Sequence, residues 1–446
     1  MQFRSLGLGL AAAVALSGAP SWAADPSAED LRVLVEDLQE EVSILRRKLE
    51  VNEEVQASKG PQPIAGAGAD VEPVRAPDKS FDLRFRAYTH FDARYFAEED
   101  DSNTDTFIFR RVRPIVEGTL GNVVDFRIMP DFANSTLVLQ DAYVNLKYFP
   151  LANLQAGKFK GPFGLERLQS ATAMTFVERA LPTQLVPNRD LGMMLHGNWR
   201  EGLIQYQLAL MNGVSDGSSA DVDSADGKDV IGRLFVHPFQ DSATEWLSGL
   251  GLGVAVGVGE TEAGVPAVYR SQGQATFFTY AAGTASDGQR FRWSPQFYYY
   301  YGPFGMLGEY VRSSQDLTRN GVDENFDNDA WQIALNYVVT GENASFRGVV
   351  PREDFAPGLG GWGAIEVAGR YHELHVDEDT FNTGFASILT SASDAKAWGV
   401  GVNWYLNRWV KLMLNYDRTS FDGGGGADGG DRPAESVVFL RWQLSY

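Results

Sequence analysis

From Phe81 to the last residue, Tyr446, apolar and polar residues alternate with a period of two. Successive side chains of a strand point to opposite faces, so each such segment has one apolar and one polar face. The first segment sets the scale. Phe81, Leu83, Phe85, Ala87, Phe91, Ala93 and Tyr95 share one face, and Asp82, Arg84, Arg86, Tyr88, His90, Asp92 and Arg94 share the other. At about fifteen residues it is long for a strand of a soluble domain, where five or six is usual, and natural for a tilted strand with one face to lipid and one to water. The pattern returns in Ile204, Tyr206, Leu208 and Leu210; in Leu250, Leu252, Val254, Val256 and Val258, opposite a row of glycines; in Trp331, Ile333, Leu335 and Tyr337; and in Trp398, Val400, Val402, Trp404 and Leu406.

Connections alternate between short and long, as in outer-membrane barrels. Gly121-Asn122, Tyr301-Gly302-Pro303-Phe304 and Leu406-Asn407-Arg408 are short. Ala97 to Thr106, Gly213 to Asp229, Ser314 to Asn328, Leu374 to Ala395 and Ser420 to Glu435 read as long loops. Counting by this rule predicts about sixteen strands, and a further alternating stretch, Gln274 to Tyr280, falls in the fifth long loop. The expected fold is all-β, a transmembrane antiparallel β-barrel around an aqueous channel. A soluble sandwich or propeller would have shorter strands or blade-length repeats, and no such repeat is present. The last strand alternates too, with Val438, Leu440, Trp442, Leu444 and Tyr446 on one face, and ends on an aromatic residue, as segments recognised by barrel-assembly machinery do.

Ahead of the barrel stand three other segments. Residues 1–23 read as a signal peptide: Arg4, an apolar run from Leu6 to Leu16 too short to span a membrane, and small residues flanking Trp22, with cleavage expected near Ala23. Residues 24–56 carry a heptad seam, Leu31, Val35, Leu38, Val42, Leu45, Leu49 and Asn52, and predict a coiled-coil helix in the periplasm. Residues 57–80, rich in Gly, Pro and Ala, predict a flexible linker. No other apolar stretch could cross a membrane as a helix, so a membrane protein of this sequence must cross as a closed barrel.

Composition narrows the function. There is no cysteine, hence no disulfide or thiolate metal site, and the net charge of -20 argues against nucleic-acid binding. His372 and His375 lie on opposite faces of a strand and cannot share a metal. No catalytic constellation is evident, so no enzymatic activity and no cofactor are expected.

The segments Phe109-Arg110-Arg111-Val112-Arg113, Leu139-Gln140-Asp141-Ala142-Tyr143, Gly157-Lys158-Phe159-Lys160, Pro162-Phe163-Gly164-Leu165-Glu166-Arg167, and the run from Leu181 to Gly192 resemble the phosphate-selective porins O and P; so do Leu307 to Val311 and Gly361 to Tyr371. The resemblance covers 81–446. It implies a sixteen-stranded homotrimeric barrel in the outer membrane of a Gram-negative bacterium, embedded in outer-membrane lipid. Its third and fifth external loops and a long periplasmic turn, here Gly161 to Asp190, Glu260 to Gln289 and Gly341 to Gly360, would fold into the pore.

A pore selects anions by lining its constriction with Arg and Lys, whose field replaces lost hydration. The predicted pore-lining residues are Arg84, Arg86, Arg111, Arg113 and Arg127 on the first three strands, and Lys158, Lys160, Arg167, Arg179 and Arg189 around the third loop; Arg94 shares their face. Glu166, Glu178 and Asp190 lie among them, and Lys160 and Arg179 are expected in water. Many acids fall in outer loops, where salt screens them from the constriction. The expected function is passive diffusion of small anions such as phosphate or polyphosphate. A general or cation-tolerant porin, and a structural tether to periplasmic partners, stay open as alternatives.

Overall fold

The computed structural model describes residues 74–76, 80–97, 103–149, 151–222, 226–427 and 429–446. The signal peptide, the coiled coil and most of the linker lie outside the described residues.

Sixteen strands form the wall: β1 (Phe81–Phe96), β2 (Thr106–Leu120), β3 (Val124–Asp131), β4 (Val138–Phe149), β5 (Ala152–Lys160), β6 (Arg189–Trp199), β7 (Ile204–Met211), β8 (Asp229–Val236), β9 (Leu250–Gly264), β10 (Ala285–Tyr301), β11 (Phe304–Arg319), β12 (Val322–Val338), β13 (Ala364–His375), β14 (Ala392–Tyr405), β15 (Val410–Gly423) and β16 (Glu435–Ser445). Each pairs antiparallel with its sequence neighbours, and β16 closes on β1 with Trp442 opposite Phe91. Closure leaves no unpaired edge, which is the condition for crossing lipid with strands.

The burial pattern is inverted relative to a soluble protein. Leu208, Val400 and Leu414 on the outer face are about half exposed, whereas Asp92, Asn415 and Arg441 on the inner face are buried. Exposed aromatics gather at both ends of the wall: Tyr95, Phe107 and Trp398 towards the long loops, and Phe149, Trp199, Tyr301, Trp409 and Tyr446 towards the short turns. Such bands mark the two interfaces of the bilayer. Gly251 and Gly253 on the inner face of β9 leave room for the rings of Phe235 and Tyr298; a Cβ at Gly251 would meet them at 2.6 and 2.8 Å.

The short connections stand as expected, and the fifth long loop holds the extra strand, Thr276–Thr279, paired with Val268–Arg270 in a hairpin of its own. One expected loop is absent. Ser314 to Asn328 continues the wall: Ser314 pairs with Asp327, and β11 turns into β12 at Asn320-Gly321, both at positive φ (52° and 79°), the geometry of a tight two-residue hairpin. Here the outward face is polar and the inward face carries Ser313, Gln315 and Asn328 beside Leu317 and Phe326, so the alternation that marks a strand fades. The wall is also uneven: β3, β7 and β8 have eight residues each, and β10 and β12 seventeen.

Candidate functional site

The third long connection, 161–188, enters the lumen and is buried over most of its length. Its one-turn helix, Leu165–Leu168, is fixed by Glu309 of β11, whose carboxylate accepts from the N–H groups of Leu165 (2.6 Å) and Glu166 (3.2 Å). Gln332 of β12 bridges the Glu166 and Glu309 carboxylates. Farther along, Lys411 donates to the carbonyls of Thr172 and Met174, Asn403 to that of Thr175, and Arg441 to that of Val177. The loop is therefore pinned to β11–β16, and the cations of β1–β6 face its other side.

The other two inward segments meet it. Gln169 donates to the carbonyl of Phe346, in the long turn 339–363 (2.9 Å). In the fifth loop, Gln272 donates to the carbonyl of Arg179 (3.3 Å) and accepts from Thr419 on β15. Loop, turn and hairpin together restrict the channel at the level of the third loop.

The predicted cations fall into three groups. Arg86, Arg127 and Arg189 alternate with acids in one chain across the wall: Arg86–Glu117 (3.1 Å), Glu117–Arg127 (3.2 Å), Arg127–Asp141 (3.4 Å) and Asp141–Arg189 (2.8 Å). Arg113 pairs with Asp131 (2.6 Å) and donates to the Tyr88 hydroxyl (2.7 Å), and Lys158 pairs with Asp221. Arg84 sits near the short turns, 3.5 Å from Asp82.

Lys160, Arg167 and Arg179 differ. Lys160 donates to the carbonyls of Arg167 (2.6 Å), Leu168 (3.4 Å) and Gln169 (3.0 Å). Arg179 donates to those of Glu166 (3.1 Å) and Gln169 (2.9 Å), and Arg167 to that of Thr183 (2.5 Å). Lys160 and Arg179, expected in water rather than lipid, lie on the lumen side, and both also brace the loop. None of the three forms an ion pair with a carboxylate among the described residues, so their charge is not cancelled by direct contact. Burial pushes the Arg167 guanidinium down to about 9, with Arg179 and Arg189 adding to it, and Arg179 down to about 10; both are cations at neutral pH.

Glu178 takes the opposite role. It accepts from Arg110 at 2.6 and 3.2 Å and from Arg94 at 3.2 Å, and Arg370 binds its carbonyl. Burial opposes its ionisation, but Arg110, Arg111 and Arg94 outweigh burial and hold the carboxyl well below the usual range. Arg110 was hidden from strict alternation. A bulge makes His90 pair with Arg111 and Phe91 with Phe109, so Arg110 is the unpaired extra residue and, like Arg111, points inward. Arg111 meets the His90 ring at 3.1 Å.

Other inward cations went unselected. Arg441 pairs with Asp92 (2.6 and 2.7 Å), Arg370 with Asp417 (2.7 Å), Arg292 with Asp216 (2.7 Å) and Arg290 with Asp229 (2.8 Å). Their strand parity marks them as inward. Nothing local in the sequence says that they lie under loops rather than beside open water.

A barrel whose wall faces lipid and whose lumen is entered by a long loop with cations around it has clear relatives. The family model for the phosphate-selective porins O and P matches residues 81–446. Porin O of Pseudomonas aeruginosa is 26% identical over 405 residues, 80% of this chain and 88% of that protein. Among solved structures, the outer membrane channel DcaP of Acinetobacter baumannii superposes with a TM-score of 0.56 at 13% identity, covering 84% of this chain and all of that one (100%). An anion-selective porin from Comamonas acidovorans gives 0.52 at 11% identity, covering 82% and 100%. The likeness to the solved structures concerns the fold, while the match along the whole barrel sequence decides kinship: this chain belongs to the phosphate-selective porin O and P family of outer-membrane porins.

Proposed function

We propose that this porin is a channel for passive diffusion of small anions, with phosphate or polyphosphate as the physiological solute. The reading is carried by Arg167 and Arg179 on the third loop, with Lys160 at its entry: three basic side chains bonded to backbone carbonyls and not to carboxylates. An ion passing them is partly dehydrated and little screened, so uncancelled charge there weighs more than loop acids a Debye length away. The phosphate-selective character of the family and the match to Porin O support the choice of solute. The test is the single-channel reversal potential in a KCl gradient, followed by titration of phosphate against the chloride current. A chloride-selective pore blocked by phosphate supports the reading, and a potassium-selective pore replaces it with a general porin.

The general-porin alternative draws on a specific feature: Glu117, Asp131, Asp141 and Glu178 neutralise much of the basic row. The same reversal potential decides between the two. For assembly we infer a homotrimer that associates laterally through the low side of the wall, where the eight-residue strands β3, β7 and β8 present less surface to lipid. Deleting 24–56 should leave trimers on native gels; monomers alone would make the coiled coil the oligomeriser.

A further inference from the structure

A second cationic place lies on the short-turn side of the third loop, apart from Lys160, Arg167 and Arg179. Arg233 of β8 points inward, its guanidinium 4.7 Å over the Phe235 ring, and its hydrogen bonds go to neutral groups, Gln296 (3.0 Å) and Gln207 (3.3 Å). Glu309, the carboxylate whose field reaches Arg233, is occupied by the N–H groups of Leu165 and Glu166 and by Gln332. Beside Arg233 stands Tyr298, stacked on Phe346 of the long turn with ring centroids 5.2 Å apart and planes at 21°. His237 fixes the tyrosine: Nδ1 donates to the Gly202 carbonyl (2.8 Å), leaving Nε2 to accept from the Tyr298 hydroxyl (2.6 Å). The glycine row of β9 lets the Phe235 and Tyr298 rings lie close against the wall. Exposed Arg347, next to Phe346, lies within electrostatic reach of Tyr298. Neither Arg233 nor Arg347 forms an ion pair among the described residues. The arrangement sets Arg233 beside partly exposed aromatic rings, with a second cation, Arg347, following Phe346 in the chain.

Inorganic anions need only the charges. Stacked rings held beside the Arg233 guanidinium, with exposed Arg347 next in the chain to Phe346, also complement an anion that carries a flat apolar body, which can stack while its carboxylate is held. We propose that Arg233, Arg347, Tyr298 and Phe346 form an exit-side station for aromatic carboxylates, widening the solute range of the channel beyond inorganic anions. This rests on the anion-channel reading.

The test uses the full chain in planar bilayers in KCl, with benzoate or acetate added as a blocker. The two probes share a carboxylate and differ in the ring. Benzoate is expected to halve the chloride current at a concentration about 5-fold below that of acetate, and the gap is expected to close in Arg347→Gln and in Phe346→Leu. Arg347 is exposed, so its replacement does not burden folding. Equal block by the two probes in a chloride-selective pore overturns the station and leaves the anion channel standing. A gap unchanged in both variants also overturns it. A potassium-selective wild-type pore overturns both.

Discussion

Lys160, the last residue of β5, and Arg179, nineteen positions on in the third loop, donate to one oxygen, the carbonyl of Gln169, at 3.0 and 2.9 Å. The residues proposed to give the constriction its charge also shape the third loop. Replacing both by Gln should therefore do two things. Anion preference should fall, because two basic groups that no carboxylate touches are lost, and the loop should loosen, because their bonds to backbone carbonyls, of about 0.5–3 kcal/mol each, are weakened. A smaller reversal potential together with noisier open-channel current is the expected record. A change in reversal potential with an unchanged noise spectrum would show that the two side chains act on the ion alone.

Arg441 and Asp92, both fully buried, join β16 to β1 at the closing seam, and Arg441 also holds the third loop through the Val177 carbonyl (2.6 Å). Removing one partner of a buried pair leaves an uncompensated charge and costs about 3–5 kcal/mol. Asp92→Asn should lower the temperature at which the folded band disappears on semi-native gels. Arg441→Gln should do so as well and should add current flicker, because only it frees the loop. Identical behaviour of the two variants would count against the second role of Arg441.

Glu178 sets the pH range. Its carboxyl is depressed in the folded protein, so the stability it contributes is fully present above the ordinary value of 4.5 and is lost as pH falls through the folded value. Arg167 and Arg179 keep their charge at neutral pH. The Glu178 contacts should thus hold their end of the loop at neutral pH and release it only in strong acid, read as a rise in channel noise below about pH 4. A steep change near pH 6 would point to a different titrating group.

The barrel itself was legible because period-two alternation persists wherever a strand separates lipid from water. It fails where that contrast ends. Beyond the bilayer the outward face of β11 and β12 is polar and the inward face mixes Ser313, Gln315 and Asn328 with Leu317 and Phe326, so Ser314 to Asn328 reads as loop although Ser314 and Asp327 are paired. At Arg110 a bulge breaks parity, so one of the two arginines that bind Glu178 most closely escapes selection. Parity shows that Arg370, Lys411 and Arg441 point inward, but which inward residues a loop covers depends on contacts more than 190 positions away, such as Arg370 with Glu178, and no local pattern encodes these.

Among the described acids between 213 and 229, in and beside the fourth loop, Asp216 and Asp229 differ from Asp226. Asp216 and Asp229 are buried and hold Arg292 and Arg290, with Arg292 also donating to the Val214 carbonyl (2.8 Å); they are part of the wall's scaffold and not of a solvated rim. Asp226 is exposed. Asp216→Asn should destabilise the barrel by about 3–5 kcal/mol, because it leaves Arg292 with one carboxylate in place of two. Asp226→Asn should leave stability unchanged and raise anion preference slightly at low salt, an effect that vanishes as the Debye length shrinks to about 3 Å near 1 M. Reversal potentials of both variants at low and high KCl, beside gel melting of each, check the division. If Asp226→Asn alters selectivity equally at both salt concentrations, the fourth loop lies on the ion's path and not beyond its screening distance.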